Sequence, residues 1–160
     1  IAGNAALKER WPDAPIVIGE HETAFLTDPV LNLSAGFGID LTSPEADQTV
    51  AHGDTFSGAG MEFAVREIPG HSPGHVVYIW QGAEPAQVIG GDVLFAEGIG
   101  RTDFPGGSFK QLAAGIKRHL YTLPDNTVIW PGHGPSTTIG HERQHNPFVG
   151  ENAGYWKLTE

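Results

Sequence analysis

Three apolar runs in this chain each end on a glycine-bracketed turn that carries an imidazole or a carboxylate. Gly70-His71-Ser72-Pro73-Gly74-His75 follows the run from Met61 to Ile68, Gly90-Gly91-Asp92 follows Gln87 to Ile89, and Pro131-Gly132-His133-Gly134-Pro135 follows Thr127 to Trp130. Glycines at such points allow unusual backbone angles and close approach, and loops at the ends of a rigid sheet are where functional groups concentrate. Such turns are what a compact ligand shell requires. Two imidazoles and one carboxylate, with no cysteine in the chain, are a donor set suited to Zn²⁺ or a similar divalent ion.

The rest of the pattern supplies the layers. Asn4 to Trp11 reads as a helix stopped by Pro12, and Ile16-Val17-Ile18 as a short buried strand. Glu20 to Asp28 and Pro29 to Leu33 each have helix-compatible spacing, and Ser34 to Asp47 reads as an irregular surface loop. Met61, Phe63 and Val65 alternate with polar neighbours as in a half-buried strand. Val76–Trp80 and Gln87–Ile89 complete a meander. Ser108 is a plausible N-cap for a helix that places Phe109, Leu112, Ala113, Ile116 and Leu120 on one face. A last strand, Thr127–Trp130, precedes a helix from Thr138 or Ile139 to Pro147. Strands run together and then interleaved with helices predict a layered α/β domain.

Composition narrows the partners. The 160 residues carry a formal net charge of −10 and no basic stripe, which disfavours phosphate backbones, so no nucleic acid is expected. No run approaches the roughly 20 apolar residues of a membrane span. No membrane partner is therefore expected, and a cytoplasmic location is the default. Oligomeric state stays open. His21, His52, His119, His141 and His145 read as structural or solvated residues. His75, four residues after His71, reads as a group that orients a ligand.

The string Ile68-Pro69-Gly70-His71-Ser72-Pro73-Gly74-His75, then Gly91-Asp92-Val93-Leu94-Phe95, Gly100-Arg101-Thr102-Asp103-Phe104-Pro105-Gly106-Gly107, Pro131-Gly132-His133-Gly134-Pro135 and Asn146-Pro147-Phe148 resembles the metallo-β-lactamase fold. The likeness is greatest to single-domain, glyoxalase II-like (hydroxyacylglutathione hydrolase-like) enzymes. It implies an αββα sandwich with a dinuclear site of two Zn²⁺, or Fe or Mn, at one edge. By resemblance His71, Asp92 and His133 are metal ligands, with Asp92 bridging. Asp92 and His75 serve catalysis, and Arg101, Thr102 and Asp103 contact substrate. The implied reaction is hydrolysis of a small-molecule thioester such as an acyl-glutathione by a hydroxide held between the ions. A thiolate leaves easily, so no strong general acid is required.

The family's His-x-His-x-Asp-His motif is absent from these residues. The expectation is that residues 1–160 form the C-terminal two-thirds of a metallo-β-lactamase-like domain, without a separate glutathione-binding helical domain. Alone, they should bind metal weakly or not at all, show little activity and expose apolar strand faces that lower solubility. Two other readings remain: a persulfide dioxygenase with one iron, which resembles the chain at Gly100 to Phe104, and a noncatalytic remnant or half-domain that pairs with another chain. β-Lactam hydrolysis ranks below these.

Overall fold

The computed structural model describes residues 1–153. The chain divides into two compact units, Ile1–Val50 and the residues from Ala51 onward. In the first, helix α1 (Asn4–Arg10) precedes strand β1 (Val17–Gly19), which pairs in parallel with β2 (Gln48–Val50). Asp47 fixes that pairing, because its Oδ2 accepts from the Ile16 amide at 2.8 Å and from Lys8 Nζ at 2.9 Å. Glu20–Leu26 and Ser34–Phe37 are 3₁₀ turns. The stretch expected to be irregular is stitched by side chains: Asn32 Nδ2 donates to the Phe25 and Leu41 carbonyls, and Ser34 Oγ accepts from the Leu41 amide.

The second unit holds a six-stranded sheet in the order β10-β9-β6-β5-β4-β3. Its strands are β3 (Thr55–Gly58), β4 (Met61–Glu67), β5 (Val76–Trp80), β6 (Gln87–Gly91), β9 (Val128–Pro131) and β10 (Thr137–Thr138). Between β6 and β9 come a hairpin, β7 (Leu94–Phe95) with β8 (Gly98–Ile99), and helix α2 (Phe109–Gly115). The helix continues as a π-helical turn, Ile116–Leu120. Helix α3 (Ile139–His145) follows β10. The expected meander is present as antiparallel β4-β5-β6. Ser108 caps α2, accepting from the Gln111 amide, and Thr138 caps α3 through the His141 amide. The expected α/β layering is what the structure shows.

Alternation along the strands decides which face is covered. Val77 and Ile79 of β5, Val88 of β6 and Ile129 of β9 are buried in one cluster with Leu112, Ala113, Ile116 and Leu120 of α2 and its π turn. Fully burying each of the Val, Leu and Ile side chains among them stabilises by about 1.5–3 kcal/mol. On the other face Ile89 and Trp130, partners in register, remain about half exposed.

Sheet polarity positions the site. β6 pairs in parallel with β9, while β4-β5 and β5-β6 are antiparallel. Strands β4, β6 and β9 therefore run the same way, and their C-terminal ends share one edge of the sheet. The three glycine-bracketed turns leave from those ends. No helix among the described residues is long and apolar enough to cross a membrane.

Candidate metal centre

Asp92 lies at the middle of that edge. Its Oδ2 stands 3.6 Å from Nε2 of His71 and 3.7 Å from Nε2 of His133. Two donors on one tetrahedral ion, each at about 2.0–2.1 Å, stand about 3.3 Å apart, so each pairing has the span of an ion's neighbouring ligands. His71 Nδ1 donates to the Arg101 carbonyl at 3.0 Å. That bond assigns the proton to Nδ1 and leaves a lone pair on Nε2, the form in which imidazole binds a metal. Nε2 and the carboxylate then face each other across 3.6 Å, a spacing that a shared cation would satisfy. The donor chemistry fits a divalent ion. Among the described residues, no three His, Asp or Glu side chains converge as a complete metal-holding group.

Glycine makes the close approach possible. A Cβ on Gly132 would collide with Asp92 Oδ1, so a carboxylate can occupy this place only if position 132 is glycine. The Gly132 amide also donates to the Gly91 carbonyl at 2.8 Å, tying the β9 turn to the β6 turn. Gly91 adopts φ +50°, and a Cβ there would lie 2.5 Å from His75 Nε2. The His75 ring is thus packed against the backbone that leads to Asp92. Its Nε2 lies 3.3 Å from the Gly90 carbonyl, its Nδ1 lies 3.5 Å from Ser72 Oγ, and its ring is 6.0 Å from that of His71.

His133 is the most solvent-exposed of the three, at 74% against 21% for His71 and 32% for Asp92. It sits between Gly132 and Gly134, and its orientation comes from Phe95, whose ring lies 4.5 Å away at an interplanar angle of 32°. The expected Arg101-Thr102-Asp103 segment adjoins the site through the Arg101 carbonyl. Its side chains pair with each other: Arg101 Nε and a terminal nitrogen each donate to Asp103 at 2.7 Å. The guanidinium also lies 3.9 Å from the Phe104 ring centroid. Arg101 holds the Asp103 carboxyl down to about 2, chiefly by hydrogen bonding. The other histidines lie in separate contacts, His52 against His119 with ring centroids 5.0 Å apart and His141 beside Glu97.

Sequence reasoning missed the Arg101 carbonyl and Phe95. A main-chain acceptor has no side-chain signature, and Phe95 reads in sequence as one more core residue.

The sequence pattern of the metallo-beta-lactamase superfamily matches residues 1–133, and the chain belongs to that superfamily. A protein of Streptococcus pyogenes serotype M6 named as a probable metallo-hydrolase is 40% identical over 147 residues, covering 89% of this chain and 62% of the relative. The chain thus spans less than two-thirds of that curated relative. The hydroxyacylglutathione hydrolase GloC of Haemophilus influenzae is 46% identical over 90 residues, 56% of this chain and 42% of the relative. Among solved structures, the BLEG-1 B3 metallo-beta-lactamase is 38% identical with TM-score 0.87, covering 93% of this chain and 71% of its own. TTHA1623 in a di-iron-bound form is 36% identical with TM-score 0.79, covering 92% and 71%. ETHE1 from Myxococcus xanthus is 31% identical with TM-score 0.67, covering 95% and 57%. The fold is that of the superfamily.

Proposed function

We propose that this chain is part of a metal-dependent hydrolase that cleaves a thioester of the acyl-glutathione class. The observation that carries the reading is Asp92 Oδ2 facing the ring nitrogens of both His71 and His133 at 3.6 and 3.7 Å. The partial match to GloC supports the thioester. Zinc is the ion proposed, with iron and manganese as alternatives. A divalent ion in such a site acts as a Lewis acid and lowers the pKa of water toward neutrality.

The residues of this chain supply placement. Asp92 offers one oxygen to both sides of the site, and Gly132 leaves the space it needs. The Arg101 carbonyl holds His71 in the Nδ1–H form. His75 braces the Gly90-Gly91 backbone beneath Asp92, which makes it a positioning residue. The exposed Arg101 and Asp103 lie beside the site on the loop to Phe104, where Arg101 can meet a substrate carboxylate and Thr102 and Asp103 shape the approach. A thiolate departs without a strong acid, and the chain needs no side-chain nucleophile.

The test is an assay of the whole enzyme on a lactoyl-glutathione thioester, with glutathione persulfide and an oxygen electrode in parallel. Thioester cleavage without oxygen uptake is the expected result. Oxygen uptake without cleavage would replace this reading with the second one, a persulfide dioxygenase using one iron, which the likeness to ETHE1 keeps in view.

A further inference from the structure

The β7–β8 hairpin joins the candidate metal centre to a carboxylate that has no solvent exposure. On its first strand Phe95 lies against His133. At its turn Glu97 takes φ +55°, a conformation uncommon for a residue with a Cβ, and its amide donates to Glu142 Oε2 at 3.0 Å. Just beyond, the Gly98 carbonyl accepts from Asn146 Nδ2 at 3.0 Å. Glu142 is 0% exposed and also accepts from Thr137 Oγ1 at 2.6 Å and from Asn146 Nδ2 at 2.7 Å. A carboxylate leaves water only where its lone pairs are met. Here three donors meet them, and one is the backbone of a two-strand hairpin too short to hold its own shape.

We infer that Glu142 is a positioning residue for the metal centre: it fixes the turn of the β7–β8 hairpin and thereby seats the Phe95 ring against His133. His133 is exposed and flanked by glycines, and besides Asp92 at 3.7 Å the Phe95 ring is what packs against it. The purpose of the seat rests on the proposal that His133 binds a metal, whereas the seating itself is a property of the metal-free protein.

The experiment follows the imidazole ring protons by NMR in the metal-free protein, with zinc affinity measured on the same samples. In the wild type the His133 ring protons carry an upfield ring-current shift that Phe95→Ala abolishes. Glu142→Gln keeps the volume but presents an NH₂ where Glu142 accepts. It is expected to remove most of that shift, leave the His71 ring protons in place and weaken zinc binding about tenfold, as loss of an outer-shell partner does. A folded Glu142→Gln protein with unshifted His133 resonances overturns the inference. Should that variant fail to fold, Glu142→Asp decides by the same resonances, since its shorter arm keeps an acceptor but cannot reach all three donors. Loss of the shift with unchanged zinc affinity upholds the seating and removes the metal reading of His133 instead.

Discussion

His71 Nδ1 lies 3.0 Å from the main-chain carbonyl of Arg101, so Arg101 orients the candidate ligand through an atom that no side-chain substitution removes. Its guanidinium faces Asp103 instead. The two roles of Arg101 therefore separate. Arg101→Ala in the whole enzyme is expected to leave zinc affinity unchanged while raising KM for a carboxylate-bearing thioester by about 2- to 10-fold, a solvent-discounted range for a charge-assisted hydrogen bond. A fall in zinc affinity with no change in KM would show that the side chain serves the loop rather than the substrate.

The severe clash of a Cβ at position 132 is with the far end of the Asp92 side chain, which can swing away, while the Gly91 carbonyl carbon stands at 3.4 Å. Gly132→Ala should accordingly cost little stability and much function. The melting temperature should move by no more than about 2–4 °C, the equivalent of about 1 kcal/mol at this chain length. Metal affinity should fall about 10- to 100-fold, as expected when a ligand is turned out of place. Calorimetry with zinc titration measures both, and a large loss of melting temperature with intact zinc binding would contradict the steric argument.

The Arg101–Asp103 pair also sets an acid limit on the loop. Asp103 is held down to about 2 from an ordinary 3.8, first by the Arg101 hydrogen bonds. Because the folded value is the lower one, the pair contributes above pH 3.8 and is lost as the pH falls toward 2. Both side chains are exposed, so the expected effect is local. The Asp103 carboxyl carbon shift should titrate near pH 2 in the wild type and at a clearly higher pH in Arg101→Ala.

The legible parts of this molecule were those with a period. Met61, Phe63 and Val65 alternate with polar neighbours and lie in the strand that alternation predicts, and the spacing from Phe109 to Leu120 gives the buried face of α2, although the last five residues wind as a π turn. Strands β7, β8 and β10, each two residues long, are too short to show a period. β2 and β3 carry mainly polar or small residues and show no apolar run by which to mark them as strands. His71, Asp92 and His133 stood out because glycines bracket them at strand ends. Glu142 did not: on a helix with polar neighbours it reads as solvent-facing, and only the fold brings Thr137, Asn146 and the Glu97 amide around it.

Alkaline titration probes the far side of the same helix. Tyr121 donates to the Glu142 carbonyl at 3.1 Å, and its phenol is pushed well above the ordinary 10.0, first by burial and then by the charge of Glu142, with Arg143 opposing. Burial raises Tyr78 as well. For a group that is neutral when protonated, a raised folded value means that the folded state keeps its proton after the unfolded chain has lost it. The stabilising contribution is complete below about pH 10 and is lost as pH climbs above it toward the folded value. Phenolate absorbance near 295 nm should therefore rise late and together with unfolding. Tyr121→Phe should remove one such late phenolate and shift the alkaline unfolding midpoint upward. A Tyr121 phenolate that forms reversibly near pH 10 in the folded protein would show that its hydroxyl is not shielded from water as the structure has it.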